Sequence, residues 1–543
     1  MKLTGGQAVV RSLIKEGVDT LFGLPGVQND WLYNALYDYK DEIKVIHTRH
    51  EQGAGYMALG YTLASGKVGV CNIVPGPGFL NSSASLATAW GLNAKVLSLV
   101  GQIPLSAQGK GRGVLHEIPD QLAIQRQLTK WADRAKSTAD VPRVMSEAFH
   151  QLHNGRPRPV GVEVSMDVLS AEDEFDFANY KAATKETITL DEAAIEEAAK
   201  LLAKAKRPLI FVSSGAMEAS EEVTALAEYL QAPVFSYRTG KGIVSSRHYL
   251  SFSVPAAHEL WAEADVVLGI GSHVRMPLSK WGIDDALTYI SINIDATAHD
   301  RIVKPSLSIT ADAAQASKEI LNLLPTYTKP KASRKEDMQA LRKSWKEKTA
   351  YLEPQLRILN DIREELPDEG ILVDELTQVG FASRMVYDAY LPRTYLCTGH
   401  MGTLGWGFQT ALGAKVAKPD VPVISVAGDG GFMFGVQELA TAVQHKIGVV
   451  VLLFNNNRYG NVREMQENLY DNRVIATDLH NPDFVAMAKA FGANAVKVNS
   501  LKDMQKAIGD AKGESLPTII EVPIENGLPS TNRFKKLGKV RGL

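Results

Sequence analysis

Residues 421–462 read VPVISVAGDGGFMFGVQELATAVQHKIGVVVLLFNNNRYGNV, and this stretch decides the fold. The apolar run 421–427 predicts a buried strand, which Gly428, Asp429, Gly430 and Gly431 interrupt. Val436, Leu439, Ala440 and Val443 then recur at helical spacing. A second apolar run, 449–454, ends in Asn455, Asn456 and Asn457. Strand, acidic turn, helix, strand and amide turn make a βαβ unit. Such a unit sets both turns at the carboxyl ends of adjacent parallel strands, where open α/β sheets bind ligands. Asp429 and the asparagines are therefore expected to face each other across a small gap. A carboxylate, an amide oxygen and a backbone carbonyl are the hard ligands that Mg²⁺ takes beside the oxygens of a bound phosphate.

Working outward, 543 residues exceed one hydrophobic core, so several domains are expected. Hydrophobic residues at 45% and charged residues at 22% are ordinary for a soluble globular chain. Lys and Arg number 59 against 61 Asp and Glu, a balance that calls for neither nucleic acid nor an anionic membrane. Cys71 and Cys397 lie in apolar contexts, which suits buried thiols in a reducing compartment. The first 18 residues predict an amphipathic helix with Val9, Leu13 and Val18 on one side, without a signal core. No run approaches the ~18 apolar residues of a membrane span. A cytoplasmic enzyme is the expectation.

Residues 1–170 alternate strands and helices. A short strand at 44–46 runs into His47-Thr48-Arg49-His50-Glu51, and a small-residue helix over 52–64 follows. Gly53, Gly55 and Gly60 weaken that helix in isolation. With Ala54 and Ala58 they imply a second backbone packed close against it. A strand over 68–74 ends in Pro75-Gly76-Pro77-Gly78. Residues 170–191 read as a polar linker. A second α/β unit, 190–325, has strands at 209–212, 233–236, 265–270 and 289–294. Ser213-Ser214-Gly215 and Gly269-Ile270-Gly271-Ser272 follow two of them, as in some nucleotide-binding turns, without a full GxGxxG. Residues 325–337 read as a second linker and 342–543 as the third domain. The tail, with Arg533, Lys535, Lys536, Lys539 and Arg541, reads as a solvated mobile segment, or alternatively an active-site lid.

The paired turns GDGG and NNN, with RHEQGAGYMALGYTLASGKVGVC around Glu51, closely resemble the signatures of the thiamine diphosphate enzymes of the acetolactate synthase, pyruvate oxidase and benzoylformate decarboxylase family. The resemblance covers nearly the whole chain. It implies three doubly wound parallel-sheet α/β domains in the order pyrimidine-binding, central and diphosphate-binding. By it, Asp429, the Asn456 side chain and the Arg458 carbonyl bind Mg²⁺, which clamps the diphosphate beside Gly428, Gly430 and Gly431. Glu51 hydrogen-bonds the cofactor pyrimidine and activates it, and the cofactor serves as carbanion source and electron sink. The segment 399–407, GHMGTLGWG, matches the part of the family in which the Gly402 carbonyl accepts from the 4′-amino group and Leu404 props the bent cofactor. Glu375, Thr377 and Gln378 stand where further diphosphate contacts arise.

The departures concern the reaction. Acetolactate synthases carry Gly where Val27 stands and Gln where His116 stands. Met465 replaces their tryptophan that selects a second 2-oxo acid. His116 is the acid/base candidate, since an unperturbed His titrates near neutrality; Gln121 is a rival catalytic contact. Asn81 and Asn461 are further candidates to line the substrate pocket with Val27 and Met465. The string GSHVRMPLSKW after residue 270 lacks the family's FAD-binding pattern and speaks against FAD. The resemblance implies a carboligase like acetolactate synthase acting on a 2-oxo acid. The alternatives are a 2-oxo acid decarboxylase, a benzaldehyde-lyase type acting on aldehydes, or a non-catalytic cofactor-binding relative. It also implies a homodimer or homotetramer with active sites at the dimer interface, and the small-residue face of the 52–64 helix is expected to lie at that interface.

Overall fold

Runs of valine, isoleucine and leucine without polar alternation form strands buried on both faces, as parallel sheets require. The structure is a computed structural model and describes residues 1–524, 527–532 and 537–542. The first section of the chain contains β1 (Lys2–Thr4), β2 (Thr20–Gly23), β3 (Lys44–His47), β4 (Gly69–Ile73), β5 (Val96–Gln102), β6 (Ala132–Arg134), β7 (Val160–Ser165) and β8 (Glu172–Glu174). The middle section contains β9 (Pro208–Val212), β10 (Val234–Ser236), β11 (Ser251–Ser253), β12 (Val266–Ile270), β13 (Thr288–Asn293) and β14 (Leu307–Thr310). The last contains β15 (Ile371–Val373), β16 (Tyr395–Leu396), β17 (Val423–Gly428), β18 (Val450–Asn455), β19 (Asn494–Lys497) and β20 (Thr518–Pro523).

Three six-stranded sheets result, in the orders β3-β2-β4-β5-β7-β6, β11-β10-β9-β12-β13-β14 and β16-β15-β17-β18-β20-β19. All their pairings are parallel, and helices flank each sheet, so the expected three-domain α/β architecture is present. Numbered within each domain, the first and third sheets share the order 2-1-3-4-6-5, whereas the central one is 3-2-1-4-5-6. The short edge strands β6, β11, β14, β16 and β19 escape the sequence reading, because two to four residues give too little pattern to read.

The helix Glu51–Ser65 packs against the helix Trp406–Ala417 of the third domain within the same chain. One hydrophobic core runs between the first and third sheets and includes Tyr56, Met57, Trp406, Phe408 and Phe432. Full burial of a phenylalanine such as Phe408 contributes about 1.5–3 kcal/mol. A Cβ at Gly60 would lie 2.0 Å from the Thr410 carbonyl oxygen, and one at Gly413 would lie 1.9 Å from that of Met57. These glycines let the two helix backbones touch. The expectation that this small-residue face serves an interface between chains is thus corrected: intramolecular contact uses it.

Other expectations are also corrected. The 170–191 segment is not wholly irregular: β8 pairs antiparallel with β1, and Phe175 and Phe177 join the first domain's core. The first helix begins at Gly5, after β1, and Val18 lies beyond its end at Lys15. Helical structure runs through Pro325 to Tyr327 and resumes at Lys335, so the second linker shortens to 328–334. The tail docks on the central domain instead of standing in solvent. Arg541 donates to the Trp261 and Ala264 carbonyls at 3.0 and 2.6 Å and to Asp284 at 3.0 Å. Leu537 and Val540 pack on the central core. Of the tail's basic residues, Arg533, Lys535 and Lys536 lie outside the described residues. No helix among the described residues is long and apolar enough to cross a membrane.

Candidate functional site

The chemistry-bearing residues fall into two groups, each at the carboxyl ends of a sheet. The first surrounds the turn 75–78 after β4. His50 caps the helix Glu51–Ser65, its Nδ1 accepting from the Gln52 N–H at 3.1 Å. Glu51 therefore occupies the first turn, where the helix dipole favours a carboxylate. Its Oε2 accepts from Asn81 Nδ2 at 3.0 Å, and a Cβ at Gly78 would lie 3.2 Å from Oε1.

On the other side of the turn, the His116 carbonyl oxygen lies 2.4 Å from where a Gly76 Cβ would stand. Gln28 Nε2 donates to the Leu115 carbonyl at 3.0 Å, which orients its amide, and Gln28 Oε1 faces His116 Nδ1 at 2.8 Å. Nδ1 is then the donor, which leaves Nε2 as the acceptor. Gln121 is committed differently. Its Oε1 accepts from the Gly76 N–H at 2.8 Å, and its Nε2 donates to Glu163 at 2.9 Å and the Gly101 carbonyl at 3.3 Å. At 1% exposure, with Glu163 itself paired to Arg134 at 2.6 Å, Gln121 fastens the turn and has no polar atom left for a substrate. This corrects its reading as a catalytic contact. Val27, at 51% exposure, Leu80 and Leu115 are exposed apolar residues of the segments that carry this group.

The second group forms around Asp429. The expected helix after β17 is two short pieces, Asp429–Phe432 and Glu438–Gln444, so the GDGG turn is itself the first helical turn. Asp429 is 2% exposed. Burial raises its carboxyl above the usual carboxylate range, opposed by hydrogen bonds from Asn481 and from the backbone of Gly430, Asn457 and Arg458. The carboxylate thus faces the amide turn, as the βαβ argument requires. Asn481 Nδ2 lies 2.8 Å from Asp429 Oδ2, 3.2 Å from Asn455 Oδ1 and 3.1 Å from Asn457 Oδ1. Sequence reasoning missed Asn481, since it is 52 residues from Asp429 and sits in no βαβ pattern. Asn456 Nδ2 lies 3.1 Å from where a Gly460 Cβ would stand, and Arg458 Nε donates to the Asn456 carbonyl at 3.1 Å.

The β15 turn closes on the same place. Thr377 Cγ2 lies 3.2 Å from where a Gly428 Cβ would stand, and a Cβ at Gly431 would lie 2.6 Å from Glu375 Oε1. Thr377 caps the helix Gln378–Val386, accepting from the Gly380 N–H at 2.9 Å. Glu375 Oε1 accepts from the Gly405 N–H at 2.5 Å, which ties the 399–407 segment to the Asp429 turn. Its Oε2 is buried without a hydrogen-bond partner, and burial pushes its carboxyl up to about 8. Gln378 donates to Glu464 at 3.2 Å, with its Oε1 unpartnered. Gly402 is exposed at φ 61°, and Leu404 is half-buried instead of lying in the core. Asn461 and Met465 lie on the helix Gly460–Leu469, no residue of which is buried. Asn461 Oδ1 has no partner, and Met465 is 42% exposed.

These residues fit an anionic cofactor held through a cation. The ligand set is one carboxylate with amide and backbone oxygens, and the glycine turn leaves a bare backbone whose N–H groups can meet an anion. Among the described residues no group of three or more His, Cys, Asp or Glu could hold a metal ion, so a cation here would depend on the Asp429 set. Within one chain the two groups are tied through Glu438, whose carboxylate accepts from the Arg49 N–H at 3.2 Å.

Comparison with known families shows which domains carry the two groups. Residues 3–124 match the thiamine pyrophosphate enzyme N-terminal TPP binding domain, 195–320 its central domain and 376–522 its C-terminal TPP binding domain. The chain belongs to the thiamine pyrophosphate enzymes. The Glu51 group lies in the first of these matches and the Asp429 group in the last. A probable 2-ketoarginine decarboxylase of Pseudomonas aeruginosa is 33% identical over 96% of this chain and 94% of its own length. A probable acetolactate synthase large subunit of Methanocaldococcus jannaschii is 31% identical over 96% and 92%. An acetolactate synthase of Arthrospira platensis is 31% identical over 96% and 94%.

Proposed function

We propose that this thiamine pyrophosphate enzyme, with Mg²⁺, breaks the bond beside the carbonyl of a 2-oxo acid and releases the product by protonation, as a decarboxylase. The observation that carries the reading is the pair of half-sites: a helix-start carboxylate, Glu51, held by Asn81 beside the His116 turn, and a buried carboxylate, Asp429, facing an amide turn. Asp429, Asn456 and the Arg458 carbonyl would hold the metal. Glu375, Thr377, Gln378 and the bare backbone of Gly428, Gly430 and Gly431 would receive the diphosphate, and Gly402 and Leu404 would orient the rings. When bound, the cofactor supplies a nucleophilic carbon and an electron sink. Glu51 holds a proton at the pyrimidine, and Asn81 fixes the carboxylate that does so. His116 Nε2, left free by the Gln28 contact, moves a proton at the substrate. Val27, Asn461 and Met465 exclude water and shape the pocket.

Carboligation of the acetolactate type is the second reading, supported by relatives 31% identical along nearly the whole chain. Decarboxylation is placed ahead of it because Met465 replaces the tryptophan that selects a second 2-oxo acid in acetolactate synthases. The test supplies the holoenzyme with pyruvate and, separately, with the 2-oxo acid of arginine. Carbon dioxide with an aldehyde product supports the first reading, and acetolactate from pyruvate moves the assignment to the second. Turnover of neither sinks both. Proton exchange at the bound cofactor's C2, followed by NMR, tests for a non-catalytic relative, which would exchange slowly.

Exposed apolar residues at both half-sites, among them Val27, Leu115, Phe434 and Met465, support completion of each site by a second copy, in a homodimer or a homotetramer. A catalytically competent monomer in sedimentation with parallel assay would refute that assembly.

A further inference from the structure

A cavity of about 380 Å³ lies between the central domain and the third domain, away from both half-sites. Its walls include Ser236 at the end of β10, Phe252 on β11, and Arg342 and Trp345 on the helix Lys335–Thr349. Tyr387, just past the helix Gln378–Val386, closes another side. Lys241 reaches into this space at 7% exposure.

The polar groups inside are poorly compensated. Lys241 Nζ donates to the Tyr387 carbonyl at 2.9 Å and stands 5.6 Å from the Tyr395 ring centroid. Arg342 donates to the His248 and Ser251 carbonyls at 2.7 and 3.1 Å and lies over Phe252. Neither cation forms an ion pair among the described residues. The Ser236 hydroxyl, 6% exposed, has no hydrogen-bond partner. Glu353 and Asp388, the acids that line the cavity, are exposed at its rim. A buried charge without a counter-charge is costly, as is a buried hydroxyl without a partner. Lys241, Arg342 and Ser236 all line this one cavity.

We propose that this cavity is a second ligand site, which takes a small organic oxyanion, its carboxylate or phosphate held by Lys241, Arg342 and Ser236 and its apolar body lodged between Phe252 and Trp345. Burial pushes the Lys241 amine down to about 8, opposed by the nearby charge of Asp388. The site has a route to the chemistry. The helix Gln378–Val386 ends in the cavity with Met385 and Val386, and its other end carries Thr377 and Gln378 beside Glu375.

The test uses the full chain saturated with thiamine diphosphate and Mg²⁺, so that anions do not report on the cofactor site. Inorganic phosphate and phenylacetate are titrated separately, by calorimetry and by thermal unfolding. We expect one of them to bind saturably and to raise the unfolding midpoint by roughly 2 °C or more. Saturation by phosphate alone assigns a phosphate ester, and saturation by phenylacetate alone assigns a carboxylate. Lys241→Met and Ser236→Ala should each weaken the effective probe at least about 10-fold, the cost of losing one hydrogen bond to a charged group. Ser236→Ala keeps the experiment decisive should Lys241→Met fail to fold. No saturable effect of either anion, or an effect unchanged in the foldable variants, would overturn the proposal and leave Lys241 as a strut between domains.

Discussion

The first and third sheets share one strand order, yet the carboxylates at their strand ends live in different surroundings. Glu51 is partly exposed on a helix start and accepts one hydrogen bond from a neighbouring amide, Asn81. Asp429 is buried, receives an amide from Asn481 and backbone N–H groups from the facing turn, and has its carboxyl raised by that burial. Topology places a side chain at the carboxyl end of a sheet, but the packing around it sets its chemistry. A partly wet carboxylate suits proton traffic, and a buried one facing an amide turn suits a cation.

The comparison breaks most sharply at Glu51. Glu51→Gln should lower kcat by roughly 10²–10⁴-fold, the range for loss of a proton-transfer group, with Mg²⁺-dependent cofactor affinity retained. Steady-state kinetics with cofactor titration checks this, and unchanged turnover would remove Glu51 from the mechanism. Asn481→Ala should do the converse. It frees the Asp429 carboxylate and should weaken Mg²⁺-dependent cofactor binding by roughly 10–100-fold, as loss of a ligand's supporting hydrogen bond does. Equal Mg²⁺ affinity in wild type and variant, by calorimetry, would show that Asn481 does not position Asp429.

Gly60→Ala probes the shared core that joins the two sheets. Its methyl would collide with the Thr410 backbone, so unfolding stability should fall by about 1–3 kcal/mol in a denaturant titration. A neutral result would mean that the helices part without cost. The remaining effect is a pH dependence at Glu375. Its folded pKa of about 8 is above the unfolded value of about 4.5. The stability it contributes is therefore complete below about pH 4.5 and is lost as the pH rises to about 8. Glu375→Gln should flatten the decline of the cofactor-free unfolding midpoint between pH 5 and 8. A variant with the wild-type slope would contradict a carboxyl held neutral there.

Much of this is legible in the residues themselves. The GDGG and NNN turns lie on adjacent parallel strands because apolar runs of six residues cannot escape burial on both faces. Glu51 falls at a helix start because β3 ends at His47 and His50 caps the helix Glu51–Ser65. Gln121 misleads because a glutamine near a candidate histidine looks available until its partners, Gly76 and Glu163, are seen. The tail misleads for the same reason: five basic residues look solvated until Arg541 finds buried carbonyls about 280 positions earlier.

By itself, then, the sequence determined the features written in short-range pattern: three parallel-sheet domains, the two turns that carry carboxylates, and the cofactor class they resemble. Periodicity and turn chemistry act over a few residues, so they can be read without a fold. Only the tertiary structure decided which backbone the small-residue helix meets, that Asn481 orients Asp429, that Gln121 is fully engaged, and that Lys241 and Ser236 share one cavity. Those contacts join residues that are mostly tens to hundreds of positions apart. Their energies come from desolvation and from hydrogen bonds that exist only once the chain has closed around them.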